Sequence, residues 1–295
     1  MFTLAAIWGG IFPAGKILLR EIGPVTIVAW RTFGAALLLW AVVGAGRMHV
    51  PRSARVWIGF AVMGLINNVL PFSLIFWGQQ HIEAGLASIL NASTAIFGVL
   101  AAAIFLADER LTQRKSVGVA LGFAGVATAM GVEHLTDFSI RSVAQIALIG
   151  ATICYALAGV WARKMLHDVK PMVSAAGMLT FSALFSIPGA WWLEGAPRLD
   201  LSPLSVGLLV YASLLGTGVA FMLYYKVLAL AGSGNLLLVT LLVSPFAIVI
   251  SAVFLGERLA PNAFAGFALL ALGLVILDGR LLKRLPAKRM DRGTG

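Results

Sequence analysis

Charge is scarce in this 295-residue chain. Asp, Glu, Lys and Arg together make up 12% of it, against 60% hydrophobic residues. A soluble domain carries about 25% charged residues, so there is too little polar surface here to cover a water-soluble globule. Cysteine is almost absent: Cys154 stands alone in an apolar run, which excludes an intrachain disulfide. No basic stretch precedes the apolar segment that begins at Phe2, so no cleavable signal peptide is expected. Of the four histidines, His49, His134 and His167 lie in polar stretches, and only His81 borders a candidate cavity. An intramembrane enzyme would need a nucleophile beside a base at membrane depth, and no such pair is visible. Neither a metal nor a cofactor is expected. Gly10 to Lys16 fits G-x-x-x-x-G-K, but Ile17 stands where a phosphate-binding loop needs Ser or Thr, and no strand precedes it.

What the chain does have is a series of long apolar runs. A bilayer crossing needs about 20 residues, and backbone groups in hydrocarbon must be satisfied within each segment, which makes helices the default. The runs predict an all-α integral membrane protein with ten spans, near 2–19, 24–45, 54–77, 83–106, 113–131, 143–161, 171–193, 203–226, 233–255 and 260–278. The short alternating strands of a barrel are missing. The net charge of +10 is not read as a nucleic-acid surface, because the bases sit at the ends of apolar runs. With the N-terminus inside, sixteen of the 22 Lys and Arg fall on inner loops and the tail, five on outer loops, and Arg31 inside a span. Both termini are therefore expected on the cytoplasmic side of an inner or plasma membrane.

One phrase occurs twice. Phe105-Leu106-Ala107-Asp108-Glu109-Arg110-Leu111 is echoed by Phe254-Leu255-Gly256-Glu257-Arg258-Leu259. Phe72, Gly85, Phe97 and Phe105 recur as Phe221, Gly234, Phe246 and Phe254 at a spacing of 149, and Gly118 and Gly125 recur as Gly266 and Gly273 at 148. The chain thus divides into a first five-helix repeat, 1–135, a second, 136–280, and a basic tail, 281–295. Five is odd, so the two halves enter the membrane from opposite sides. Inverted repeats of this kind recur in secondary transporters, with the binding site near the midplane. The two Glu-Arg-Leu phrases, facing opposite sides, then suit helix corners better than a site.

The residues resemble the EamA-type members of the drug/metabolite transporter superfamily. The likeness lies in Ile7-Trp8-Gly9-Gly10-Ile11-Phe12-Pro13-Ala14-Gly15-Lys16, in Arg31-Thr32-Phe33, in Gly85-Leu86-Ala87-Ser88-Ile89-Leu90-Asn91, in the two Glu-Arg-Leu phrases, and in Gly216-Thr217 before Phe221-Met222-Leu223-Tyr224-Tyr225. Within that family the chain most resembles the broad amino-acid exporters of the YddG type. The resemblance implies ten helices in two inverted five-helix repeats, and export of amino acids and related metabolites by alternating access. The alternative cargo is a nucleobase, a drug-like cation or a sugar derivative, with proton coupling through His81. The partners expected are the bilayer and a small-molecule substrate. A monomer is expected, with dimerisation through Gly118, Gly122, Gly125, Gly266 and Gly273 as the alternative to close packing within one chain.

Polar stripes mark the candidate lining. Ser73, Trp77, Gln80 and His81 share a face of the third span at helical spacing, and Ser88 and Asn91 share one in the fourth. Ser213 and Thr217 do so in the eighth, and Ser244 lies on such a face in the ninth. Tyr155 and Trp161 in the sixth complete the set. The candidate substrate-binding residues are thus Trp77, Gln80, His81, Ser88, Asn91, Tyr155, Trp161, Ser213, Thr217 and Ser244. Pro13, Pro71 and Pro245 are candidate hinges, since each removes a backbone hydrogen bond within a span. Lys16 and Arg31 are the deepest bases; either could steer a substrate carboxylate, and snorkelling to headgroups is the favoured reading. All twelve acids fall in loops or at span ends. A proton relay commonly needs a membrane-embedded carboxylate, so transport down the substrate's own gradient is expected.

Overall fold

Besides Pro71 after the first π segment, prolines open four of the helices. Pro24, Pro171, Pro203 and Pro261 each stand in the first turn, where a missing N–H costs nothing and φ is already helical. Two later helices end on glycines in the left-handed region, Gly256 at φ +68° and Gly279 at φ +67°, as helix stops often do. The computed structural model describes residues 1–131, 139–198 and 200–279, except for the side chains of 231–238. The tail 281–295 and the boundary near 135 lie outside the described residues.

The described residues are helical, with no strand among them. The helices are α1 (Phe2–Leu18), α2 (Pro24–Ala45), α3 (Ala54–Gly64), α4 (Leu70–Gln79), α5 (Ala84–Asn91), α6 (Thr94–Phe105), α7 (Gln113–Met130), α8 (Ile140–Met165), α9 (Pro171–Glu194), α10 (Pro203–Val210), α11 (Ala220–Leu255) and α12 (Pro261–Asp278). Wider π-helical turns join α3 to α4 (Leu65–Val69) and α10 to α11 (Tyr211–Val219). Among the described residues, seven helical segments are long and apolar enough to cross a membrane. Exposed Leu37, Ile104, Leu184, Trp192, Val253 and Phe254 supply the apolar exterior that lipid requires.

Three departures from the expected spans have physical causes. The fourth expected span is broken: α5 stops at Asn91 and α6 starts at Thr94. There Ser93 Oγ donates to Leu90 O (2.6 Å) and stands 3.3 Å from Thr152 Oγ1 of α8, so side chains take over where the helix ladder is interrupted. The third and eighth spans each carry a π segment. A π turn inserts one extra residue, a change that hydrophobic periodicity does not register. Finally, the eighth and ninth expected spans are assigned as helix without a gap through α11. Yet Tyr211 packs on Gly10 and Phe246 packs on Gly9, while 35 residues of straight helix would separate them by about 52 Å. The chain therefore doubles back between those two contacts.

Packing follows a regular exchange. Helix α7 lies antiparallel to α12, with Gly118 against Gly273 and Leu277, and Gly125 against Gly266 and Leu270. A Cβ at Gly273 would stand 2.7 Å from Gly118 O and 2.8 Å from Gly122 N, so these glycines let two backbones of one chain touch. Helix α2 lies antiparallel to α9: Thr26 Oγ1 donates to Glu194 (2.6 Å) at one end, and Trp40 Nε1 donates to Thr180 Oγ1 (2.7 Å) toward the other. Helix α1 packs on α11, and α6 packs on α8.

The ends of the molecule differ in charge. Arg47, Arg52, Arg55, Arg110, Arg114, Lys115, Arg163, Lys164 and Lys170 belong to one end, the base-rich end. The other, base-poor end is closed by carboxylates on helix starts. Glu194 accepts from Val25 N (2.8 Å) and Thr26 N (2.8 Å) at the start of α2. Glu257 accepts from Ala84 N (2.9 Å) and Gly85 N (3.2 Å) at the start of α5. Glu21 accepts from Ser202 N (2.9 Å) and Ser202 Oγ (2.6 Å) just before α10. Each uses the unsatisfied N–H groups and positive end of a helix.

Candidate functional site

The two π segments carry buried polar contacts between helices. The spacing of 149 that aligns Phe72 with Phe221 also aligns Asn68 with Thr217, and each lies in a π segment. Asn68 Nδ2 donates to Ser182 Oγ of α9 at 3.0 Å. Thr217 Oγ1 accepts from Arg31 Nε of α2 at 2.6 Å and donates to Ala212 O at 2.8 Å. Arg31 also reaches toward Gly216 O at 3.5 Å, and its guanidinium carbon stands 3.9 Å from the Phe72 ring centroid. The Phe72 ring in turn meets Tyr155 edge-on at 6.4 Å. Tyr155 and Tyr211 border the same apolar cluster as Phe72.

The expected lining residues separate into two groups. Trp77, Asn91, Tyr155 and Thr217 lie on the inner faces of the bundle. Trp77 and Tyr155 pack against one core cluster, and Trp77 meets His81 edge-on at 5.1 Å. Asn91 ends α5 at the break in the fourth span, and its Oδ1 is buried without a hydrogen-bond partner. The second group is committed to helix contacts or lies elsewhere. Ser88 Oγ donates to Gly85 O (2.7 Å), and Ser244 Oγ to Ser88 O (3.0 Å), tying α11 to α5. Ser213 Oγ donates toward Arg31 O at 3.3 Å. Trp161 Nε1 donates to Gly59 O at 3.3 Å, fixing α8 to α3. Gln80 is exposed just past the end of α4. Its buried neighbour Gln79 faces inward instead, with Nε2 donating to Phe12 O at 2.9 Å.

Pro71 follows the first π segment and opens α4, while Pro13 and Pro245 lie inside α1 and α11. The favoured snorkelling of Lys16 and Arg31 is corrected by the structure. Lys16 Nζ donates to Gln79 O and to Ile82 O (2.7 Å), which staples α1 to the end of α4. Arg31 is only 7% exposed. Both cations turn toward protein acceptors rather than headgroups. Tyr211, absent from the expected set, donates to Ile7 O at 2.6 Å and bridges α1 to the π segment. The carboxylate caps were also missing from it; only their position at span ends could have hinted at them.

The EamA-like transporter family matches residues 1–131 and 142–277. The chain is 25% identical over 276 residues to the uncharacterized transporter YvbV of Bacillus subtilis (strain 168), covering 93% of this chain and 89% of that one. It is 28% identical over 280 residues to a probable terminal-alkyne amino-acid exporter of Streptantibioticus cattleyicolor, covering 94% and 91%. A solved crystal structure aligns over 97% of both chains with a TM-score of 0.70 at 20% identity, a likeness of fold alone. This multi-pass membrane protein belongs to the EamA-like transporter family.

Proposed function

We propose that the chain exports amino acids and similar small metabolites across the cytoplasmic membrane by alternating access. It would do so as ten spans in two inverted five-helix halves, with both termini cytoplasmic. The observation that carries the reading is the exchange symmetry of packing. Moving along the chain by half its length turns α1 on α11 into α8 on α6, leaves α7 on α12 and α2 on α9 as they are, and carries one π segment onto the other. Such symmetry gives two related gates on opposite faces around one midplane site. The family matches fall on two stretches of similar length, one in each half. The base-rich end would face the cytoplasm. The amino-acid cargo draws on the similarity to a probable terminal-alkyne amino-acid exporter. Trp77, Asn91 and Tyr155 would line the path, the aromatics against an apolar side chain and the Asn91 amide against the zwitterion, with Thr217 behind them. With the glycine faces of α7 and α12 spent within the chain, a monomer suffices.

Transport would be facilitated. No Asp or Glu among the described residues lies within a span interior, where a relay carboxylate would be needed. Counterflow in proteoliposomes tests this reading. Unlabelled neutral amino acid inside should accelerate entry of the labelled one without any imposed ion gradient. Uphill accumulation driven by a pH gradient would contradict facilitated transport and favour coupling through His81. Absence of any amino-acid flux, with flux of a nucleobase, cation or sugar derivative, would overturn the cargo.

A further inference from the structure

Arg31 is a cation without a counter-ion. It lies seven residues inside α2, about 10 Å from the start of the helix. No carboxylate stands within 4.0 Å of it among the described residues; the ion pairs found there all join residues at the two ends of the bundle. A guanidinium has five N–H donors. Thr217 Oγ1 takes one, and Gly216 O takes a second at 3.5 Å. The remaining donors have no protein acceptor among the described residues, yet the residue keeps 7% of its surface accessible. Snorkelling does not explain it, because the guanidinium points at the π segment and lies over Phe72.

A positive charge held at this depth is expensive, and intramembrane charges mark substrate or ion pathways. The surroundings narrow the ligand. Phe72, Tyr155 and Tyr211 form an apolar and aromatic wall beside the guanidinium, and its open edge is a fork suited to two oxygens of one planar anion. We infer that Arg31 is the anchor for the carboxylate of the transported substrate. Thr217 acts as a positioning residue, holding Nε so that the opposite edge faces the path. The substrate class is then a small carboxylate with an apolar side chain. This rests on the transport function proposed above and narrows its cargo: an amine or amide of the same shape is a poor substrate.

The test compares matched ligands in proteoliposome counterflow: phenylalanine, its amide, phenethylamine and the monocarboxylate phenylpropionate. The wild type should carry the two carboxylates and discriminate against the amide and amine by at least about tenfold, the scale of one lost charged hydrogen-bond pair. In Arg31→Gln, carboxylate flux should fall by at least about tenfold, while flux of the amide and amine changes less than about twofold. Thr217→Val, which keeps the charge, should raise KM for carboxylates by roughly twofold to fivefold with little change at saturation. A merely structural arginine would lower all four fluxes together, and that result overturns the proposal. So does a wild type whose thermal unfolding is shifted equally by phenylalanine and its amide, a measurement that needs no variant. Carriage of phenylpropionate but not phenylalanine would keep the anchor and sink the amino-acid cargo. Carriage of only the amide and amine would sink both.

Discussion

The two copies of the repeated phrase sit at opposite ends of the bundle and make different bonds. Glu257 reaches across from the second half and closes the first turn of α5 with two backbone N–H bonds, at 2.9 and 3.2 Å. Glu109, in the same place in the first half, pairs with Lys115 at 2.9 Å and Arg163 at 3.5 Å. One carboxylate neutralises a helix end between halves; the other joins a half-exposed cluster of surface charges. Glu194 and Glu21 repeat the first pattern at the base-poor end, and Arg163 with Asp108 repeats the second at the base-rich end. Equal sequence therefore does not mean equal work in a single conformation. The base-poor end adds backbone-directed carboxylate bonds to its ion pairs Arg141–Glu83 and Arg198–Asp200, whereas Asp108 and Glu109 at the base-rich end pair only with bases, in bonds that water and salt can replace.

The largest break in this contrast should come from Glu194→Ala. It removes three hydrogen bonds from the start of α2 and should cost about 2 kcal/mol, read as a lower thermal midpoint in detergent. Glu257→Ala should cost about 1 kcal/mol by the same mechanism. Glu109→Ala should cost at most about 0.5 kcal/mol and nothing at high salt. Equal losses for Glu257 and Glu109 would erase the distinction between the ends. The smallest effect is on pH. Hydrogen bonds from the Ser202 hydroxyl and amide hold the Glu21 carboxyl below its ordinary 4.5. A depressed folded pKa contributes stability that is present above the unfolded value and is lost as pH falls through the folded one. Stability should thus fall on acidification below about pH 4.5, and Glu21→Gln should flatten that acid limb by lowering the neutral plateau toward the acid value.

The all-helical membrane fold was legible because lipid imposes a length on apolar runs. What stayed hidden depended on partners remote in sequence or on small changes of helical pitch. Ser88 and Asn91 do share the helix α5, but it ends at Asn91, and the break that follows leaves no mark in the apolar run. Ser88 and Ser244 look like lining residues by spacing, but their polar groups meet across helices 156 positions apart. Arg31 could not be told from a snorkelling base until Thr217, 186 positions away, was seen to receive it. Gln79 and Gln80 are indistinguishable by type; the end of α4 buries the first and exposes the second.

The central proposal is alternating access, with the base-poor end, where Glu194, Glu257 and Glu21 bond to helix starts, taken as the gate that is closed in this conformation. The direct measurement is the reaction of a membrane-impermeant thiol reagent with Asn91→Cys in a Cys154→Ser background, at the break between α5 and α6. Reagent applied from the base-rich side should react much faster than reagent from the other side, and Glu257→Ala should narrow that difference. Equal reactivity from both sides, or faster reaction from the base-poor side, would contradict it.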